Sequence, residues 1–187
     1  MAYIRVKKIK KNYKEYRYAY LVENRWKKRT PKGSKKGARQ KVKGYLGKVH
    51  EFSRVEDKDF LKHHDIDYVK DHFDEQGVNN VIRDLVRIEL VNHGFLENGD
   101  FYANSDLAVY IGKKDFFIKD LKEEKDRKLV IAMNEGFLCK ETFGKLINFK
   151  ALGDEKEVGL QLGNSLLEAG LKVPEEIFVE MFERIVK

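Results

Sequence analysis

The order of apolar and polar residues divides the chain into two patterns, and the first has a period of two. Three segments show it: residues 3–9, 16–22 and 38–49. Alternation of this kind is typical of β-strands whose two faces meet different surroundings. The polar stretch 10–14, which contains Asn12, predicts a turn, and Gly44 and Gly47 permit bulges in the third strand. We therefore expect the first part of the chain to form a three-stranded antiparallel sheet.

From residue 51 onward, apolar residues recur at helical spacing, interrupted by hairpin signals. The clearest helix covers residues 78–90, with Asn79 as its predicted cap and Gly94 as its terminator, after which Phe95 folds back onto Leu90. Short strands are predicted at 101–103, 107–111, 115–118 and 128–133, with a turn at 97–100 and later helices at 140–148, 154–169 and 174–186. The predicted fold class is α+β: a small three-stranded antiparallel basic β-module followed by an α+β body with C-terminal helices.

The charge of the chain changes at the same place as its pattern. The first fifty residues contain eighteen Lys and Arg but only two acidic residues, Glu15 and Glu23, a formal charge of +16, whereas the remaining residues sum to −9. Two domains are therefore predicted: residues 1–50, a basic β-sheet module that binds nucleic acid, and residues 51–187, an acidic α+β domain. A basic block this dense is most often neutralised by a nucleic-acid backbone.

A basic loop is predicted at residues 25–37, where seven of thirteen residues are Lys or Arg and Pro31 and the glycines provide turns. The candidate nucleic-acid-binding residues are Arg17, Arg25, Trp26, Lys27, Lys28, Arg29, Lys32, Lys35, Lys36, Arg39, Lys41, Lys43 and Tyr45. The row of Tyr16, Tyr18 and Tyr20 has two interpretations: a layer packed beneath the sheet, or a platform on which bases stack.

The runs YIRVKKIKKNYKEYRYAYLVENRW and RQKVKGYLGKV resemble the N-terminal segment of DDE transposases from prokaryotic insertion sequences. The resemblance covers residues 3–49 and rests on Tyr18, Leu21, Val22, Glu23, Arg39, Gln40, Val42, Leu46 and Gly47. It implies a module on the DNA side of such an enzyme, without the RNase H-like core and its three metal-binding carboxylates. The later run MNEGFLCKETFGKLINF is similar to short uncharacterised archaeal proteins, which implies no activity.

Candidates for catalysis are few. A possible metal-ligand cluster is His63, His64, Asp65, Asp67, His72 and Asp74, although a solvated polar helix is the preferred interpretation. The single cysteine, Cys139, is predicted to be a small buried side chain rather than a nucleophile. No glycine-rich phosphate loop is present, so no cofactor is predicted and an enzyme is the least favoured class. Because the sequence has no apolar leader or membrane span, we expect a cytoplasmic protein without a membrane partner.

Two functional classes remain open. The first is a non-catalytic protein that binds nucleic acid through phosphates, with the resemblance favouring DNA over RNA. The second is a protein-interaction or ribosome- and RNA-associated assembly module, in which the basic part docks on an acidic partner and the acidic domain can recruit a protein. The position of the basic loop decides between them, since a loop that projects away from the acidic part leaves its charge unpaired.

Overall fold

The computed structural model describes residues 2–27, 37–113, 115–123 and 127–186, which form a mixed α+β fold with two sheets. The strands are β1 (Ala2–Lys11), β2 (Lys14–Lys27), β3 (Gly37–Glu51), β4 (Leu96–Asn98), β5 (Phe101–Ala103), β6 (Leu107–Ile111), β7 (Phe116–Asp120), β8 (Leu129–Met133) and β9 (Gly136–Leu138). The helices are α1 (Phe60–His63), α2 (Val69–Gln76), α3 (Val78–Asn92), α4 (Lys140–Ile147), α5 (Glu155–Glu168) and α6 (Glu175–Val186).

The first three strands form the predicted antiparallel arrangement, β1 against β2 and β2 against β3. The turn between β1 and β2 has only two residues, since Lys11 pairs with Lys14. Both turn residues, Asn12 and Tyr13, have positive φ, 48° and 61°. This is the geometry of the tight turns whose twist matches that of the flanking strands.

The first sheet is larger than the sequence predicted, with the strand order β1-β2-β3-β8-β9. Residues 48–51 of β3 pair in parallel with residues 129–132 of β8, and β9 pairs antiparallel with β8. Gly47 permits the close approach of β3 to β8, because a Cβ atom there would lie 2.5 Å from the carbonyl oxygen of Lys128. The basic strands therefore belong to a mixed sheet that continues into the acidic part, and the division into two domains stays a prediction.

The main hydrophobic core lies between the second sheet, the helices and one face of β8 and β9. The second sheet is the antiparallel meander β4-β5-β6-β7. Among the described elements, helix α3 supplies more fully buried aliphatic side chains than any other, including Ile82, Leu85 and Leu90. The helix ends at Asn92, and Gly94 terminates it with φ 82°. The Phe95 N–H donates to the Leu90 carbonyl at 3.0 Å, as the sequence predicted.

Several element boundaries differ from the predictions. Strand β2 continues to Lys27, so residues 25–27 are strand rather than loop, because they pair with residues 37–39 of β3. The residue that caps α3 is Gly77, and Asn79 lies inside the helix. Helices α1 and α2 and the three-residue strands β4 and β9 were not predicted, since each is too short to show a period.

Candidate nucleic-acid interface

The N-terminal strands β1, β2 and β3, here called the head, have two faces of different chemistry. Directly opposed residues in an antiparallel pair lie on the same face, so the register assigns each side chain. The tyrosine face carries Tyr3, Arg5, Lys7, Ile9 and Lys11 of β1, Lys14, Tyr16, Tyr18, Tyr20, Val22, Asn24 and Trp26 of β2, and Gln40, Val42, Tyr45 and Lys48 of β3. The second face carries the alternate residues of β1 and β2.

The second face is the packed one. Ala19 and Leu46 of the head form a small apolar cluster with Val130 and Cys139, and all four are buried. Partly buried apolar residues surround the cluster: Ile4, Leu21, Val49 and Phe137. None of the tyrosines of the head belongs to either apolar core of the described residues. The row of Tyr16, Tyr18 and Tyr20 is therefore not the packed layer beneath the sheet.

The aromatic rings of the tyrosine face contact one another. The Tyr45 ring centroid lies 5.4 Å from that of Tyr20 and 6.3 Å from that of Tyr18, both in tilted arrangements. Partial burial, together with the neighbouring Tyr18 and Tyr20, raises the pKa of Tyr45, so its hydroxyl stays protonated at neutral pH. The Lys7 Nζ lies 5.0 Å from the Tyr20 centroid, within the range of a cation–π contact. The rings thus form a fixed surface with a cation beside it.

A chain of polar side chains crosses all three strands on the same face. Arg5 of β1 donates to Gln40 of β3, and Gln40 donates to the hydroxyl of Tyr3. The Tyr3 hydroxyl in turn donates to Asn24 Oδ1 of β2 at 3.3 Å. These contacts fix the ring of Tyr3, while a guanidinium with five N–H donors retains the capacity to bind further acceptors. Arg5 is therefore held in place with donors to spare.

Several cations of the second face have carboxylate partners. Arg17 pairs with Glu15 and Glu51, and Arg25 Nε lies 3.0 Å from Glu23 Oε2. Lys43 Nζ lies 3.7 Å from the same Glu23 oxygen. The hydrogen bond from Arg25 holds the pKa of Glu23 below its usual value, and Arg25 and Lys43 add to this by their charge. The acidic residues of the head thus neutralise part of one face only.

The end of the head farthest from β8, here called the distal hairpin, comprises residues 24–27 and 37–43. Its side chains from 24 to 26 and from 39 to 43 are exposed, on both faces. Because β3 pairs with β8 only from Lys48 onward, an extended strand places Gly37 about 35 Å from that pairing. Lys27 and Gly37 pair with each other at this far end.

The thirteen predicted binding residues fall into three groups. In the first group, Arg17, Arg25 and Lys43 are ion-paired with head carboxylates. Exposed residues form the second group: Trp26, Arg39, Lys41 and Tyr45. The third group lies outside the described residues, five in full and Lys27 in its side chain: Lys27, Lys28, Arg29, Lys32, Lys35 and Lys36. The sequence reasoning did not select Tyr3, Arg5 and Lys7, although placing the tight turn at residues 12–13 would have put them on the face of Tyr18 and Tyr20.

The head meets acidic groups of the body, residues 52–186, at the end of β7. Lys48 Nζ lies 3.1 Å from Glu123 Oε1 and 3.8 Å from Asp120 Oδ2, and His50 Nε2 lies 3.9 Å from the same Asp120 oxygen. Burial raises the pKa of Asp120, but the N–H groups of Lys122 and Glu123 and the charges of Lys48 and His50 outweigh it and hold the pKa below its usual value. This contact anchors the near end of the head.

The other candidates from the sequence are a histidine cluster and a buried cysteine. The His64 ring centroid lies 4.7 Å from that of Phe60, 4.9 Å from His63 and 6.3 Å from His72, so the three histidines cluster around an aromatic ring. Within the described ranges, no three His, Cys, Asp or Glu residues are placed to hold a metal ion. Cys139 is fully buried, and burial raises the pKa of its thiol, as expected of a structural cysteine.

No protein-family model, curated protein or solved structure matches this chain. The transposase resemblance of residues 3–49 therefore stays a prediction. Among the residues that the structure describes, no helix is long and apolar enough to span a membrane.

Proposed function

We propose that this chain is a non-catalytic nucleic-acid-binding protein that contacts phosphates through its N-terminal sheet and basic loop. The observation that carries the proposal is the distal hairpin, where Arg39 and Lys41 are exposed and Glu23 of β2 lies opposite Lys41. The sequence adds five further cations in the adjoining segment 28–36. A phosphate backbone is the partner best suited to neutralise cations that are concentrated in this way.

Contact with the protein's own acidic residues does not account for this charge. Among the described residues, the head cation with body carboxylates as partners is Lys48, at the near end of β3. The ion pairs of the distal hairpin, those of Arg25 and Lys43, are made within the head, to Glu23. Among the described distal cations, Arg39 and Lys41 are thus left for an external partner.

The resemblance to transposases favours DNA over RNA. A small, basic, tyrosine-rich sheet is also suited to binding RNA. The assay therefore compares duplex DNA with single strands of DNA and RNA by fluorescence anisotropy at two or more salt concentrations. If about six to eight phosphates are contacted, the log–log slope on duplex DNA should be about −5 to −7. A slope near zero, or no binding at low salt, would refute the proposal.

A variant of described residues tests whether the distal hairpin supplies the contacts. Replacing Arg39, Lys41 and Lys43 by Ser should make the slope shallower by up to about 3 units, because each phosphate contact contributes about 0.9. A matched control replaces three exposed lysines of the body by Ser: Lys119, Lys150 and Lys156. The control has the same change in net charge, so an equal effect of both variants would indicate non-specific attraction.

A second candidate function is the protein-interaction module, favoured by a shallow apolar groove between α5 and α6. Leu160 and Leu167 are exposed along α5, and Gly159 and Gly163 admit the rings of Phe182 and Phe178. Large exposed apolar patches mark interaction sites more often than chance. If the wild-type chain binds no nucleic acid, this groove and the basic head become the surfaces on which to look for a protein partner.

A further inference from the structure

We propose that the tyrosine face binds single-stranded nucleic acid, with bases stacked on its exposed rings. This inference rests on the proposed function and adds to it the face of the sheet and the class of ligand. The packed second face is occupied by Phe137, Val130 and Cys139. No tyrosine of the opposite face belongs to an apolar cluster of the described residues, and that face meets body carboxylates at its near end, through Lys48.

The charge of the tyrosine face is complementary to a nucleic-acid strand. Four cations of β1 and β2 lie on it: Arg5, Lys7, Lys11 and Lys14. Both acidic residues of the first fifty, Glu15 and Glu23, lie on the second face, because they pair there with Lys10 and Ala2. In the described parts of β1 and β2, the tyrosine face therefore has no carboxylate. The four cations have no ion-pair partner on these two strands.

Three aromatic rings on this face have open surfaces. Trp26 is 64% exposed, Tyr45 40% and Tyr3 37%. The Tyr45 ring contacts the rings of Tyr18 and Tyr20, and the Lys7 Nζ lies over the Tyr20 ring. Rings that are held in position and exposed lose little freedom when a base stacks on them, and such stacking tolerates any base sequence.

The ligand must be single-stranded, because the bases of a duplex are stacked on one another and their faces are not accessible. A sheet can approach a duplex only through its phosphates and groove edges. The exposed rings would gain nothing from a duplex, whereas a single strand can place its bases on them and its phosphates beside Arg5 and Lys7. DNA and RNA share this chemistry.

Ring-removal variants test the inference. The probes are fluorescein-labelled (dT)20, (rU)20 and a 20-base-pair duplex, measured by anisotropy with wild type, Trp26→Leu, Tyr45→Leu and the double variant. Since a stacked base contributes about 5- to 150-fold in affinity, each single change should weaken binding of at least one single strand by about fivefold or more. Duplex affinity should change by less than about twofold.

Trp26 is the only tryptophan, so (dT)20 or (rU)20 should also quench the intrinsic fluorescence of the wild type.

Two controls separate stacking from folding. Tyr45→Phe keeps the ring and should bind single strands like the wild type. Phe117→Leu removes an exposed ring from a strand of the second sheet and should have no effect. The inference is overturned if the double variant binds single strands within about twofold of the wild type, or if it loses duplex binding equally. No binding of any probe by the wild type would refute both proposals. Ring effects that persist while the Arg39, Lys41 and Lys43 variant binds like the wild type would refute only the phosphate contacts of the distal hairpin.

Discussion

The head and the body bury apolar side chains on very different scales. Among the described residues, the body is built around a continuous cluster of 26 buried residues that joins helices and both sheets. The second cluster has four buried residues, and only two of them, Ala19 and Leu46, come from the head. A sheet this small gains its stability from being continued by a strand of the body, which leaves one face free for contacts with other molecules.

The largest expected effect comes from separating the two regions at Gly47. The residue has φ 152°, and an added Cβ would meet the Lys128 backbone at 2.5 Å. We expect Gly47→Ala to lower the free energy of unfolding by about 4 kcal/mol or more, because the strain and the clash act together at the β3–β8 pairing. Urea denaturation followed by circular dichroism measures the change.

Gly44→Ala is the matched control, three residues away on the same strand. No atom lies within 4 Å of the Cβ that it would add. We therefore expect a change within about 1 kcal/mol. Equal effects at Gly44 and Gly47 would mean that the head is not anchored through the close approach of β3 to β8.

Local signals in the sequence predicted the strands of the head and the long helices. The alternation in residues 16–22 gave β2, and the apolar stripe of Val158, Leu162 and Leu166 gave α5. The parallel pairing of β3 with β8 joins residues about eighty positions apart, and such a contact leaves no local period to detect. The same limit applies to the site: alternation shows that β2 has two faces, but the packed face is decided by Val130 and Cys139 far along the chain.

A slightly smaller effect is expected inside the body, at Glu89. This buried carboxylate accepts from Arg54 Nη1 at 3.0 Å, from Asn134 Nδ2 at 3.1 Å and from the Lys172 N–H at 3.3 Å. Glu89→Gln should cost about 3 kcal/mol, since it leaves the partly buried Arg54 without its buried countercharge. The exposed pair of Glu56 and Lys58, 3.0 Å apart, provides the comparison, and Glu56→Gln should cost less than about 1 kcal/mol. If the two glutamates prove equivalent, the Glu89 network does not stabilise the body.

The change of stability with pH should be smaller than the effect at Glu89. It should arise both at the junction of the head with the body and inside the body. Burial lowers the pKa of His50 at the junction, where Lys48 acts in the same direction and Asp120 opposes it, and burial also lowers that of His64 in the body. A histidine whose folded pKa lies below the unfolded value of about 6.5 makes the unfolded state bind more protons, so stability is lost as the pH falls below about 6.5. The midpoints of urea unfolding at pH 7.5 and 5.5 measure this loss. It should shrink in His50→Asn and in His64→Asn, and a loss identical to that of the wild type in both variants would contradict the assignment.

The smallest effect on stability is expected at the tip of the head. A fourfold variant replaces by Ser the lysines at and beyond the end of β2: Lys27, Lys28, Lys35 and Lys36. Residues 25–37 contain almost no apolar side chains, so each change should alter the free energy of unfolding by no more than about 0.5 kcal/mol. The affinity for nucleic acid should nevertheless fall for all sequences, with a salt slope shallower by about 3 to 4 units. Thermal melting measures the effect of the variant on stability, and anisotropy measures its effect on binding. A marked drop in melting temperature would mean that these lysines dock on the acidic body. Unchanged binding would assign the interface to the tyrosine face alone.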